Sequence, residues 1–290
     1  MTSGKKIKDV LKDACKRVGA VDAHALLKNV LSCDEIYLAL HKDDEIKAES
    51  AEKFENFVLQ REKSKPVAYI TNFKEFMGLS FYVDENVLIP RSETELLVEK
   101  IIELNIKKDK ILDLCTGSGA IGVSLAKYIE KSDVLCADIS DGALKIAEKN
   151  AKTKNIRFKK CDVLCDIKNI GEKFDVVASN PPYVKKDIID SLSSDVKNYE
   201  PRLALDGGSD GLLFYRKIIS DIGFVLKKGG YLFFEIGFDQ GEDLKKLMED
   251  NFSSVTVLKD LSSLDRIVFG KYTGGGIISG KNNAYIGPSS

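Results

Sequence analysis

From residue 110 onward the chain alternates short apolar runs with amphipathic stretches, and this alternation restricts the fold more than any other feature of the sequence. "KILDL" (Lys110 to Leu114) reads as a strand, "CTGSGAIG" is glycine-rich, and "VSLAKYIE" has helical periodicity. The order then repeats. Strand "DVLCADIS" leads to helix "DGALKIAEKNAKT", strands "IRFKKCDVL" and "KFDVVASN" follow, and "GGYLFFEIG" comes after a long connection. Strands separated by helices pair through crossovers rather than hairpins, which predicts an open, mostly parallel sheet with helices on both faces. "SVTVLKD" and "DRIVFGKY", joined by the short "LSSL", add an antiparallel pair and bring the sheet to seven strands.

The first part of the chain has a different period. Ile7, Val10, Leu11, Ala14 and Val18 fall on one helical face, and Asp22 is placed to cap a second helix, "AHALLKNVL". Pro66 ends the helical region. "PVAYITNFKEFMGLSFYVDENVLIP" is rich in β-branched and aromatic residues and reads as a hairpin turning at Gly78. A Ser-x-x-Glu start at Ser92 reads as a capping box opening the helix "SETELLVEKIIELNI". The expected organisation is a small helical domain over 1–64, a hairpin linker over 65–91, an α/β domain over 92–272, and a flexible glycine- and serine-rich tail over 273–290.

A formal net charge of −1 argues against a surface built for nucleic acid. No apolar run approaches the 18 or so residues of a membrane span, and the N-terminus lacks a signal-peptide core, so a cytoplasmic location is expected. The six cysteines have no disulfide-framework spacing. Cys161 and Cys165 have no second pair, and His24 and His41 lie far away in sequence, so no metal is expected.

Gly117-x-Gly119-x-x-Gly122 stands directly after a strand and opens a helix, the context in which a glycine fingerprint binds a ligand. Cys115, Thr116, Gly117, Ser118 and Gly119 would form the cradle. Asp138 ends the second strand, placed to accept hydrogen bonds from ribose hydroxyls, and Asp162 ends the third, where an adenine amino group would fall with Val163 against the ring. Asp113, just before the loop, would repel a pyrophosphate and suit an ammonium group. The glycine fingerprint alone would suggest NAD; with Asp113 and Asp138 the pattern favours a ligand with ribose, adenine, a cationic aminoacyl arm and no phosphate, S-adenosylmethionine with S-adenosylhomocysteine as its product, and leaves a plain dinucleotide fold as the alternative.

The fourth strand ends in "SNPPY", and in a doubly wound sheet it neighbours the first across the switch point where ligands bind, so Asn180 is expected beside the cofactor's reactive group and in contact with the cofactor as well as with the substrate. Asn180 and Pro181 each precede a proline, so the stretch is extended and stiff. The Asn180 side chain and the Pro181 carbonyl offer two fixed acceptors for both hydrogens of a planar –NH2, and Tyr183, beyond Pro182, offers a ring for a flat group. The matching substrate nitrogen is conjugated, either an amide or a nucleobase amine. Its lone pair is delocalised, so catalysis is expected to rest on positioning and electrostatics rather than on a strong base.

Several stretches resemble the HemK/PrmC family of protein-(glutamine-N5) methyltransferases over roughly residues 8 to 271. They are "PVAYITNFKEFMGLSFYV", "VLIPRSETELLVE", "ILDLCTGSGAIGVSLA", "SNPPYV", "YEPRLALDGGSDGL" and "FFEIGFDQG". The resemblance implies a class I, Rossmann-like methyltransferase with an N-terminal helical domain that engages its substrate. That substrate would be the glutamine of the Gly-Gly-Gln loop of peptide chain release factors, methylated by a monomer. Asn180 to Tyr183 would bind the side-chain amide, Arg91 and Glu93 would line or brace the pocket, and "EPRLALDGG" would shape the substrate mouth, with Glu200 and Arg202 read as a structural pair. Cys115 stands where the family often has glycine. The competing readings are an adenine amino (N6) methyltransferase acting on nucleic acid, a glutamine methyltransferase of a ribosomal protein, and a non-catalytic S-adenosylmethionine sensor.

Overall fold

In the computed structural model, which describes residues 5–153, 155–163 and 165–275, the chain opens with helices α1 (Ile7–Val18), α2 (Ala20–Leu31), α3 (Glu35–Leu40) and α4 (Ala48–Glu62). Their apolar faces meet in a core of their own around Leu26, Leu27, Phe54 and Val58. Asp22 does not cap α2. It sits inside the first turn, where its carboxylate accepts from Arg61 Nε of α4 at 2.6 Å, and Gly19 holds the cap position. An ionic hydrogen bond between two helices replaces the expected self-cap.

The expected hairpin is shorter than its composition suggests. Val67–Thr71 forms a helical turn, α5, that buries Tyr69 and Ile70, and only β1 (Lys74–Phe76) and β2 (Leu79–Phe81) pair. Burial against the helical core overrides the strand preference of "VAYIT". Tyr69 also donates to the Val87 carbonyl at 2.6 Å, tying α5 to the segment that leads into α6 (Ser92–Glu103). The capping box at Ser92 does not form. Arg91 occupies the cap, and Glu95 Oε1 accepts the Met77 N–H of the hairpin turn at 2.7 Å.

The alternating half follows as β3 (Lys110–Leu114), α7 (Ala120–Tyr128), β4 (Asp133–Asp138), α8 (Asp141–Asn150), β5 (Ile156–Lys160), β6 (Phe174–Ser179), α9 (Ser194–Tyr199), α10 (Leu213–Asp221), β7 (Leu226–Glu235), α11 (Gly241–Glu249), β8 (Phe252–Lys259) and β9 (Asp265–Tyr272). The sheet is seven-stranded in the order β5-β4-β3-β6-β7-β9-β8, with β9 antiparallel to both neighbours and the other pairs parallel. Central β6 is buried at every position, as a strand covered on both faces must be, while edge strand β5 is nowhere fully buried. Alternate residues divide between two cores. Leu112 and Leu114 face α10 and α11, whereas Ile111 faces α6 and α7. The topology reverses between β3 and β6, and both strands end there at one crevice. Of the tail expected over 273–290, residues 276–290 lie outside the described residues.

Candidate active site at the switch point

The loop after β3 turns sharply. Cys115 has φ +58°, a left-handed conformation that costs a side chain of its kind and that glycine adopts freely. The N-terminus of α7 then lies close on the sheet. A Cβ on Gly122 would stand 2.2 Å from Cys136 Sγ of β4, so only glycine permits this approach of helix to strand.

Asp113 is fully buried beneath the loop. Its Oδ2 accepts from Thr116 Oγ1 at 2.5 Å and from the Gly122 N–H at 2.9 Å, while Oδ1 has no partner. Burial pushes its pKa up to about 7. The carboxylate braces the loop from below and does not line the cavity above it, contrary to the expectation of a direct ligand contact. The reason is strand geometry: Asp113 shares a face with Ile111 and so points under α7.

Asp138, at the end of β4, does line the cavity. Its Oδ2 accepts from the Gly117 N–H and its Oδ1 from the Ser140 N–H, each at 2.9 Å. Burial raises its pKa against the pull of these donors. Each oxygen keeps a lone pair for a diol. In a phosphate-binding loop the Gly117 N–H would point at the anion, whereas here it is held by a carboxylate.

One cavity of about 1160 Å³, open mouth included, joins these groups. Cys115, Thr116, Gly117 and Ser118 form its floor, Asp138, Asp162 and Val163 one wall, and Asn180 and Pro182 another. Gly119 and Pro181 are not among the lining residues, and Pro181 is buried. Tyr183 also stands behind the wall, half-buried against the main core, with its hydroxyl 3.5 Å from Glu235 Oε1. It is therefore not the free stacking face that the sequence suggested.

Sequence reasoning missed two groups of residues. The first is Val87, Leu88, Pro90 and Phe214, which line the roof together with Leu203 and Ala204 of the "EPRLALDGG" stretch expected at the mouth. "VLIPR" and "EPRLA" carried a signal for it, since both are proline-fixed apolar segments flanked by charge. The second is Glu235, a charged residue at the end of the apolar run "YLFFE".

Arg91 and Glu200 join the two roof segments. The guanidinium hydrogen-bonds Glu200 Oε1, and Oε2 accepts from the Ile89 N–H at 3.3 Å. Glu200 therefore pairs with Arg91 and not with Arg202, whose nearest carboxylate is that of Asp190 at 3.9 Å. The Glu200 side chain is 1% exposed and burial raises its pKa, while Arg91 is 37% exposed. Arg91→Ala strands this carboxylate. Discounted for the water that reaches Arg91, the expected loss is about 2 kcal/mol at neutral pH. An acid whose folded pKa lies above its unfolded one destabilises as pH rises through that interval. The deficit relative to wild type therefore shrinks on acidification toward the ordinary glutamate range, where Glu200 is neutral and needs no cation. Urea melts of both proteins from pH 7 downward measure it; a deficit unchanged by pH would remove the ion pair as its cause.

Arg91 is also the sole cation among the described residues lining the cavity, and it is already engaged by Glu200. A pyrophosphate would find no free cation there, while a ligand carrying a ribose and positive charge finds carboxylates. The site thus fits S-adenosylmethionine.

Comparison with known proteins agrees. Residues 5–71 match the PrmC N-terminal domain and residues 92–195 the Methyltransferase small domain. A release factor glutamine methyltransferase from Clostridium acetobutylicum is 43% identical over 278 residues, covering 91% of this chain and 97% of that protein. One from Clostridium botulinum is 38% identical over 266 residues, covering 89% and 94%. Among solved structures, the hMettl16 catalytic domain superposes with a TM-score of 0.52 at 18% identity, covering 79% of this chain and 83% of that one. A methyltransferase from Pyrococcus furiosus gives 0.50 at 18% identity, covering 76% and 98%. At that identity the likeness bears on the fold alone.

Proposed function

This chain belongs to the release factor glutamine methyltransferase family, and on that premise we propose how its own residues carry the activity. It is an S-adenosylmethionine-dependent methyltransferase acting on the glutamine of peptide chain release factors. The reading of the site rests above all on one observation: a single cavity joins the glycine loop and Asp138 to Asn180.

Asp138 holds the ribose diol, Thr116 to Ser118 follow the aminoacyl arm, and Asp162 and Val163 receive the adenine. The bound cofactor supplies an electrophilic methyl group. Asn180 Oδ1 and the Pro181 carbonyl accept the two hydrogens of the substrate amide of the Gly-Gly-Gln loop, and Pro182 and Tyr183 keep that grip stiff. Holding both hydrogens favours a tetrahedral nitrogen and aims its lone pair across the cavity. With the sulfonium cofactor bound, methyl transfer would leave its sulfur as the neutral thioether of S-adenosylhomocysteine, and Asn180 and Pro181 would hold the nitrogen until it gives its proton to solvent. Arg91 braces the roof through Glu200 instead of touching the reacting atoms.

The helices of residues 1–64 engage the release factor, residues 65–91 link them to the catalytic unit over 92–272, and the enzyme works as a cytoplasmic monomer on protein rather than nucleic acid. The net charge of −1 supports that choice of partner. No helix among the described residues is long and apolar enough to cross a membrane.

Asp138→Ala is expected to weaken S-adenosylmethionine binding about 10- to 100-fold, about 1.4–2.7 kcal/mol, because a charge-assisted contact is lost. Calorimetry reads it, and unchanged affinity would take Asp138 out of the ribose role. The reading as a whole is tested with purified enzyme, labelled cofactor and a release factor, beside a Gly-Gly-Gln to Gly-Gly-Ala control. Label is expected only on the intact motif. Equal labelling of both would refute glutamine specificity, and transfer to adenine in nucleic acid would favour the amino-methyltransferase reading.

A further inference from the structure

Glu235 has no part in the chemistry described so far, yet it is a carboxylate 1% exposed, immediately behind the reacting wall. Strands β6 and β7 run parallel with Ser179 paired to Phe234, so the next residues, Asn180 and Glu235, stand side by side. The side chains of Asn180 and of Thr94 from α6 stand near the carboxylate and favour its anionic form. The Tyr183 hydroxyl lies 3.5 Å from Oε1, and Oε2 has no hydrogen-bond partner of ordinary geometry. Burial pushes its pKa up to about 7; of the charged groups around it, Arg266 on β9 favours the anionic form, which prevails above that pH, and Glu93 on α6 opposes it. Tyr215 of α10 donates to the Glu235 main-chain carbonyl at 2.8 Å and so fixes the backbone rather than the carboxylate.

A buried carboxylate is costly, and a strand end in an apolar core has cheaper occupants. An asparagine side chain has an acceptor end and a donor end of nearly the same shape. The grip on a substrate –NH2 works only with the oxygen toward the cavity. An ionised carboxylate accepts and cannot donate, so a neighbouring amide must turn its –NH2 toward it and its oxygen away.

We propose that Glu235 is a positioning residue that locks the Asn180 side-chain amide with its oxygen toward the substrate. The inference rests on the assignment of Asn180 as the amide-gripping residue. Glu235 itself touches neither substrate nor cofactor. Glutamine at this position accepts and donates equally well, and therefore permits both orientations of Asn180.

Three measurements on the full-length protein test it. In Glu235→Gln, kcat for release-factor methylation is expected to fall about tenfold or more. KM for the release factor and the S-adenosylmethionine Kd are expected to stay within about twofold. In Asn180→Asp, two carboxylates oppose each other and activity falls further. The double variant Asn180→Asp/Glu235→Gln restores a donor between them while an oxygen still faces the cavity, so its kcat should exceed that of Asn180→Asp. Independently of any substrate, NMR of the Asn180 side-chain –NH2 should show slow proton exchange in wild type and faster exchange in Glu235→Gln. Wild-type kcat in Glu235→Gln, a double variant no better than Asn180→Asp, or equal exchange rates would overturn the proposal. Absence of methyl transfer by the wild type would instead overturn the reading of the site, and the exchange measurement would still decide the orientation of Asn180.

Discussion

Asn180→Ala is expected to slow methyl transfer by roughly a thousandfold, about 4 kcal/mol, while S-adenosylmethionine binding stays within about tenfold, about 1.4 kcal/mol. The two effects separate because the residue sits on one wall of a cavity whose floor and other wall carry the residues proposed for the cofactor. The loop, Asp138 and the buried Asp113 brace are bound to one another and need nothing from Asn180: Asp138 takes the Gly117 N–H, and Asp113 takes Thr116 and Gly122. The substrate amide has no comparable alternative. Its lone pair is delocalised into the carbonyl, so an ungripped –NH2 stays planar and does not present that lone pair to the methyl group. Alanine leaves only the Pro181 carbonyl of the two proposed acceptors, and the nitrogen is free to turn. Single-turnover transfer with labelled cofactor, beside calorimetry of cofactor binding, measures both sides. A rate within tenfold of wild type would remove the side-chain grip from the mechanism, and loss of cofactor binding would show that Asn180 serves the cofactor instead.

The order of elements was legible because burial on two faces leaves a signature. "KILDL" and "FDVVAS" are nearly continuous apolar runs, and strands of that kind need helices above and below. The junction residues were legible for a related reason, since the ends of β3, β4 and β6 converge at the switch point whatever the loops do. Whatever depends on a partner distant in sequence was not legible. "VAYIT" has strand composition and forms a helical turn because the N-terminal core takes Ile70. Ser92 and Glu95 have capping-box spacing, but a hairpin N–H at Met77 claims Glu95 first. Glu200 lies two residues from Arg202 and pairs with Arg91, 109 positions away. Asp113 marks an intermediate case. Its presence was visible, and the strand period that turns it under α7 instead of into the cavity was also there to be read, from Ile111 two residues earlier.

The same dependence on distant partners explains "YEPRLALDGGSDGL", and it yields the second large effect expected here. This stretch is stitched to the back of "NPPYV". The Val184 N–H donates to the Leu205 carbonyl at 2.9 Å, the Gly207 N–H donates to the Val184 carbonyl at 2.8 Å, and Val184 and Asp206 form a parallel bridge. Gln240, from "FDQG", adds a side-chain bond from Nε2 to the Tyr183 carbonyl at 3.2 Å. Two stretches far apart in sequence therefore form one backing for the gripping segment. Within it Gly207 has no room for a side chain. A Cβ there would stand 2.7 Å from Tyr183 Cα, 2.8 Å from the Tyr183 carbonyl carbon and 2.9 Å from the Pro182 oxygen. All three are backbone atoms and cannot swing aside as a side-chain tip would. In Gly207→Ala either residues 182–184 or residues 205–208 must shift, breaking the paired bonds between them. Overpacking of this kind costs about 1–3 kcal/mol of stability. A displacement of about 1 Å at the grip is worth roughly a hundredfold in rate. Cofactor affinity is expected to stay within about threefold, since the loop and Asp138 lie on other strands, and a shift that small is under about 1 kcal/mol. Comparing kcat, thermal midpoint and cofactor Kd for the variant separates a displaced grip from general unfolding. A variant that melts like wild type and turns over at the wild-type rate would mean that the backing can yield without moving Asn180, and the stiffness assigned to the two prolines would then have to reside in "NPP" alone.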